Sequence, residues 1–187
     1  MSPYDFVHLS LLAVGDEIRG RTKLQKTIYF LGVLAKTLPE LGYRPHFYGP
    51  YSDAVASSVN RLKSLGFVTE NSVGAGVVGS SGFEIARHDF RLTEEGKRIA
   101  QEKAKRNPDV WKRIKDAAAH FLQAGDVDYM KMSVAAKTFF IFSDSGKPAT
   151  STELSDSATR LGWNPTAREI EESIEFLQRL GLVKAKV

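Results

Sequence analysis

From Arg19 to Asn71 the chain reads, in order, as helix, tight turn, second helix and strand, and this succession limits the fold more than any other feature. Leu24, Ile28, Leu31, Ala35 and Leu38 recur in steps of four and three, which places them on one face of a helix. Thr22 can cap that helix, and Pro39 and Gly42 close it. Phe47-Tyr48 looks extended, and Gly49-Pro50 is a turn signal. Ser52 suits the N-cap of a helix running from Asp53 to Leu65, with Asp53 at its positive end. Val55, Val59, Leu62 and Leu65 give this helix its inward face, so Ala56, Ser57, Asn60, Arg61 and Ser64 point outward. Gly66 ends it.

The flanking chain extends the pattern. An apolar face built from Phe6, Val7, Leu9, Leu11, Leu12 and Val14 predicts a first helix over Tyr4–Ile18, ended by Gly20. A strand starts at Phe67, its return partner lies within Phe83–Leu92, and residues 71–82 between them form a glycine-rich, nearly uncharged hairpin. Thr93 caps a helix to about Arg106, and Pro108 restarts one through Trp111, Ile114, Ala118 and Leu122. Gly125-Asp126 marks a joint. Beyond it come helices over Ser133–Phe142 and Glu153–Leu161, with a turn at Ser145–Pro148. A last helix, capped by Asn164 with Pro165 at its first position, runs to Leu180, and a strand begins at Gly181.

Leu62-Lys-Ser-Leu-Gly-Phe-Val68 and Leu177-Gln-Arg-Leu-Gly-Leu-Val183 share one pattern, an amphipathic helix passing through glycine into a strand. The expected fold is mainly α with small antiparallel β wings: tandem winged helix-turn-helix units joined by a helical connector. The boundaries are 1–95 for the first unit, 96–126 for the basic connector and 127–187 for a second unit with a truncated wing.

Arg21-Thr-Lys-Leu-Gln-Lys-Thr-Ile-Tyr-Phe-Leu31, with His46-Phe-Tyr-Gly-Pro-Tyr-Ser-Asp53, resembles the YwgA-like proteins, an uncharacterised prokaryotic family predicted to have a winged-helix fold. More distantly, Lys23-Leu-Gln-Lys26 and Tyr48-Gly-Pro50 look like the SocA-type antitoxin (Panacea) domain. The similarity covers about residues 15–70. It implies a regulator or an antitoxin-like adaptor.

Composition removes several classes. With 42% apolar and 26% charged residues among 187, the chain is ordinary for a soluble globular protein. No apolar run approaches the ~20 residues of a membrane span, and Phe6–Gly15 is too short and lacks a basic leader for a secretory signal. Zero cysteines excludes disulfides and thiolate metal sites and fits a cytoplasmic protein. The net charge of +4 lies entirely in residues 96–132, which carry nine basic and five acidic side chains, and localised charge bears on polyanion binding.

Arg19, Arg21, Lys23 and Lys26 crowd the start of the second helix, where cations oppose the helix dipole. A DNA phosphate there would turn the misplaced charge into a binding site; neutralisation by Asp16 and Glu17 is the plain alternative. Ser57, Asn60, Arg61 and Ser64, with Lys63 at their edge, suit major-groove base edges, and equally an ordinary solvated helix. The connector, with Lys103 and Arg106 among its cations, can track phosphates or simply face water. Pro165–Leu180 carries four glutamates against Arg168 and Arg179, a balance that suits protein contacts rather than a groove.

Gly74-Ala-Gly-Val-Val-Gly79 matches a dinucleotide fingerprint in letters only, because a strand rather than a helix follows. The four histidines have no ligand spacing, no local arrangement suggests a catalytic set, and the Tyr48-Gly-Pro-Tyr51 turn reads as packing. The expectation is a cytoplasmic, non-enzymatic homodimer without cofactor that binds double-stranded DNA as a transcriptional regulator. The alternative is a protein-interaction adaptor on the same scaffold.

Overall fold

The computed structural model describes residues 1–78, 84–145 and 151–184. Helix α1 (Pro3–Ala13) opens on Ser2, whose Oγ accepts the Asp5 amide at 3.1 Å. It stops well before Ile18. Gly15 and Asp16 both take positive φ, and the chain turns into a short strand, β1 (Glu17–Arg19), with Ile18 buried on it.

Gly20 rather than Thr22 stands at the N-cap of α2 (Arg21–Leu34), and no side chain caps that end. After α2, Lys36 turns with positive φ into a single 3-10 turn at Pro39–Leu41. A Cβ at Gly32 would lie 2.7 Å from Leu41 Cδ1, so this glycine lets the turn pack against α2.

Helix α3 (Asp53–Ser64) starts as expected: Ser52 Oγ accepts the Val55 amide at 3.0 Å and donates to Leu41 O. Val55, Val59 and Leu62 are buried, whereas Leu65, expected inside, is 51% exposed because the helix has already ended. Gly66, at φ +73, then redirects the chain into β2 (Val68–Val78). Strand β3 (Glu84–Leu92) returns along it. The sheet is antiparallel throughout, in the order β1-β3-β2, with Ile18 and Glu70 both opposite Phe90 and Val68 opposite Leu92. The expected wing, residues 71–82, falls within the described residues only as far as Val78.

Thr93 caps α4 (Glu94–Arg106) by accepting the Gly96 amide at 2.9 Å, and Pro108 opens α5 (Pro108–Gln123). Asp128 Oδ1 accepts the amides of Met130 and Lys131, so α6 (Tyr129–Ser145) begins before the expected Ser133. The turn expected at Ser145–Pro148 lies largely outside the described residues; α7 (Ser151–Arg160) follows it. The last helix, α8 (Ala167–Arg179), is capped by Thr166 rather than Asn164. Thr166 and Glu169 form a reciprocal capping box, which satisfies more of the helix end than Asn164-Pro165 could. Residues 181–184 turn instead of forming the expected strand, so no strand follows α8 among the described residues.

The molecule is thus mainly helical with a three-stranded antiparallel sheet. One apolar interior draws on α1, α2, α3, the sheet, α5, α6 and α8. Phe30 of α2 meets Phe121 of α5 at 6.3 Å and Phe176 of α8 at 5.7 Å between ring centroids. A smaller cluster, Ile141, Ala158, Trp163 and Ile170, lies under α7. No helix among the described residues is long and apolar enough to cross a membrane.

Candidate functional site

The two motifs at the heart of the sequence meet face to face. Gln25 of α2 donates Nε2 to Ser52 O at 3.0 Å and accepts the Ser52 amide at 3.1 Å, a two-way clasp on the backbone entering α3. Lys26 Nζ donates to Pro50 O at 2.7 Å. Arg44 and Tyr51 exchange backbone bonds at 3.0 and 2.9 Å and close a loop, which reverses at Gly49 with φ +93. From the far side, Ser133 Oγ donates to Tyr48 O at 2.6 Å and Trp163 Nε1 to His46 O at 2.9 Å. The loop backbone is therefore held from both ends of the chain, while its aromatic tips point out. Phe47 is 70% and Tyr48 54% exposed, so Tyr48 does not pack at the α3 entrance as expected; Tyr51 is half-buried, its ring 5.1 Å from that of His46 on the same loop.

This arrangement corrects one expected DNA contact. Lys26 is 1% exposed and cannot reach a phosphate outside the molecule. Burial, helped by the like charge of Lys137, brings its ammonium down to about 8.

The other cations separate into three places. Arg21 Nη2 bonds Glu70 Oε1 at 2.8 Å, Lys63 holds Glu70 Oε2, and His88 Nδ1 lies 2.9 Å from Oε1. Burial pushes the Glu70 carboxyl up, but bonds from Lys63 and Arg21 more than offset this and hold it at about 2. Arg19 and Lys23 turn instead toward a shallow depression against α5, where Arg19 lies 3.5 Å from Glu17 and Lys23 2.6 Å from Asp126. Arg61 stands 4.8 Å above the Tyr4 ring; Lys103 lies 4.1 Å from the same ring and 2.6 Å from Asp5. Arg106, one turn beyond Lys103 on α4, is exposed.

Helical geometry orders what remains on α3. At about 100° per residue, the surface runs from Arg61 through Ser57, Ser64 and Asn60 to Lys63. These three central residues are exposed, although Ser64 Oγ bonds back to Asn60 O at 3.0 Å. A polar strip thus has a cation on each border, Arg61 over Tyr4 and Lys63 beside Arg21. The expected single cationic face is narrower than its sequence suggested.

Beside the strip, and sharing Asn60 with it, α2, α3, the sheet and the 44–51 loop line a half-open cavity of about 330 Å³. Leu24, Lys26, Tyr51, Asn60, Glu70 and Phe90 are among its walls. Sequence reasoning overlooked Glu70 and His88. The available signal was parity: Glu70 follows Val68 by two along a strand, so a carboxylate occupies a core-facing position. No group of three His, Asp or Glu side chains among the described residues is placed to hold a metal.

No protein-family model matches the chain. Over 66 residues it is 41% identical to a protein of Bacillus subtilis (strain 168). That relative is Uncharacterized protein YwgA. The match covers 34% of this chain and 39% of the length of YwgA.

Proposed function

We propose that the chain binds duplex DNA as a regulator on a winged-helix scaffold, with α3 as the reading helix. The polar strip from Arg61 to Lys63 carries this reading, because it offers arginine, asparagine and serine to base edges, with Lys63 at its border for the backbone. The order α1-β1-α2-α3-β2-β3 and the sheet order β1-β3-β2 agree with that scaffold. In this proposal residues 1–95 form the reader, 96–126 add phosphate contacts through Lys103 and Arg106, and 127–187 serve homodimer contact. Pairing of dimer half-sites would then follow whole helical turns of DNA.

A salt titration with mixed-sequence duplex tests the proposal. Affinity should fall with a log–log slope of about −0.9 per neutralised phosphate, and Asn60→Ala with Arg61→Ala should weaken binding by about tenfold or more at a preferred site. Binding that shows no decline between low and physiological salt would overturn it.

The exposed Phe47–Tyr48 pair, edge to face at 5.0 Å, favours a second reading: a partner protein docks there and the chain is an adaptor. The distant SocA-type likeness agrees with it. Loss of a co-purifying protein in Phe47→Ser, with DNA affinity unchanged, would select this reading.

A further inference from the structure

The cavity that shares Asn60 with the polar strip has a volume of about 330 Å³, within the range of small-molecule sites. Buried Leu24, Val59 and Phe90 supply apolar wall, and exposed Tyr48 and half-buried Tyr51 supply aromatic wall. The aromatic side is held in place, because Gln25, Lys26, Ser133 and Trp163 all bond the backbone of residues 46–52. Lys26 therefore acts on the loop and not on the contents of the cavity.

Two polar side chains of the wall are open to solvent. Asn60 is exposed, and its carboxamide makes no hydrogen bond among the described residues. A carboxamide presents a donor and an acceptor side by side, the pattern that pairs with adenine N7 and N6. The Arg21 side chain is 64% exposed, and its bonds to Glu70 use Nε and Nη2, so the donors of Nη1 are not engaged there. Arg21 and Lys63 against the single carboxylate of Glu70 leave this edge one positive charge, which suits an anion.

We propose that the cavity binds a nucleotide, its base against Tyr51 and paired with Asn60, its phosphate on Arg21. The aromatic wall stacks any base, Asn60 favours adenine, and Arg21 favours a nucleotide over a nucleoside. The nucleotide is either free or turned out of a DNA strand; the strand source rests on the duplex-binding reading, and the free source does not.

Isothermal titration of the full chain with adenosine monophosphate, adenosine and ribose phosphate tests this. The nucleotide should saturate with Kd below about 1 mM, adenosine should bind at least about fivefold more weakly, and ribose phosphate should not saturate by about 10 mM. Arg21→Gln should bring the nucleotide down to the affinity of adenosine. Ala56→Leu, which adds bulk at the cavity wall and alters no charge, should remove nucleotide binding. For the strand source, a duplex with one unpaired adenine should bind at least about tenfold tighter than its fully paired counterpart, and Ala56→Leu should abolish that difference. Nucleotide saturation with equal affinity for the two duplexes assigns the site to a free nucleotide, and the duplex preference without saturation assigns it to a strand. Neither signal, a nucleotide that saturates no more tightly than ribose phosphate, or signals that persist in Ala56→Leu would overturn the proposal. Affinity for the fully paired duplex is read separately from both signals, so the duplex-binding reading stands or falls by itself.

Discussion

His8 is fully buried, stacked 5.7 Å from Phe67, with Nε2 2.8 Å from Gly96 O. A carbonyl only accepts, so the neutral ring carries its proton on Nε2. Nδ1 then has no partner among the described residues, and a second proton would have no acceptor. Burial, and next the charge of Lys103, bring this imidazole down to about 4 despite the bond to Gly96. Because the folded pKa lies below the ordinary 6.5, the unfolded chain takes up the proton first. The contribution of His8 is complete above pH 6.5 and declines as pH falls toward 4. Glu70, held at about 2, adds stability that is complete above 4.5 and lost between 4.5 and 2. Urea midpoints measured against pH should therefore fall in two stages. His8→Phe should remove the upper stage and cost about 1–3 kcal/mol at neutral pH, since Gly96 O loses its donor. An unchanged upper stage in that variant would refute the assignment.

Among the elements, the start of α4 is the most sharply constrained. A Cβ on Gly96 would lie 2.1 Å from Phe67 O, a backbone atom that cannot swing away. Gly96→Ala should cost about 2–3 kcal/mol in urea unfolding despite alanine's better helix propensity; a neutral or stabilising result would mean α4 shifts freely. Local signals revealed the caps of Ser52 and Thr93, because an N-cap depends on its own next three residues. Strand β1 was not legible. Three residues show no period, and Glu17–Arg19 becomes a strand only because β3 supplies its partners. Thr166 was legible too, since Thr-x-x-Glu is a capping box, although a proline at the first helical position would favour Asn164 as the cap.

At the scale of the whole molecule, the later helices complete the interior of the earlier ones. Phe30 and Phe121 rest on Phe176, and the 44–51 loop hangs from Ser133 and Trp163. Residues 1–126 alone would uncover these rings. That fragment should melt well below the full chain and bind a hydrophobic dye, whereas the full chain should unfold in one transition. Matching transitions for both would show that the later helices add nothing to the core.

Helix periods, most glycine turns, several caps and the outward face of α3 were set by the order of residues, because each depends on neighbours within a turn or two along the chain. Tertiary structure alone decided the fate of the charges. Arg21, Lys23 and Lys26 lie within six positions of one another, yet one reaches Glu70, one Asp126 and one the backbone of Pro50. A helix points such neighbours in different directions, and what each then meets comes from segments distant in sequence. The same is true of the cavity, which exists only where α2, α3, the sheet and the aromatic loop meet.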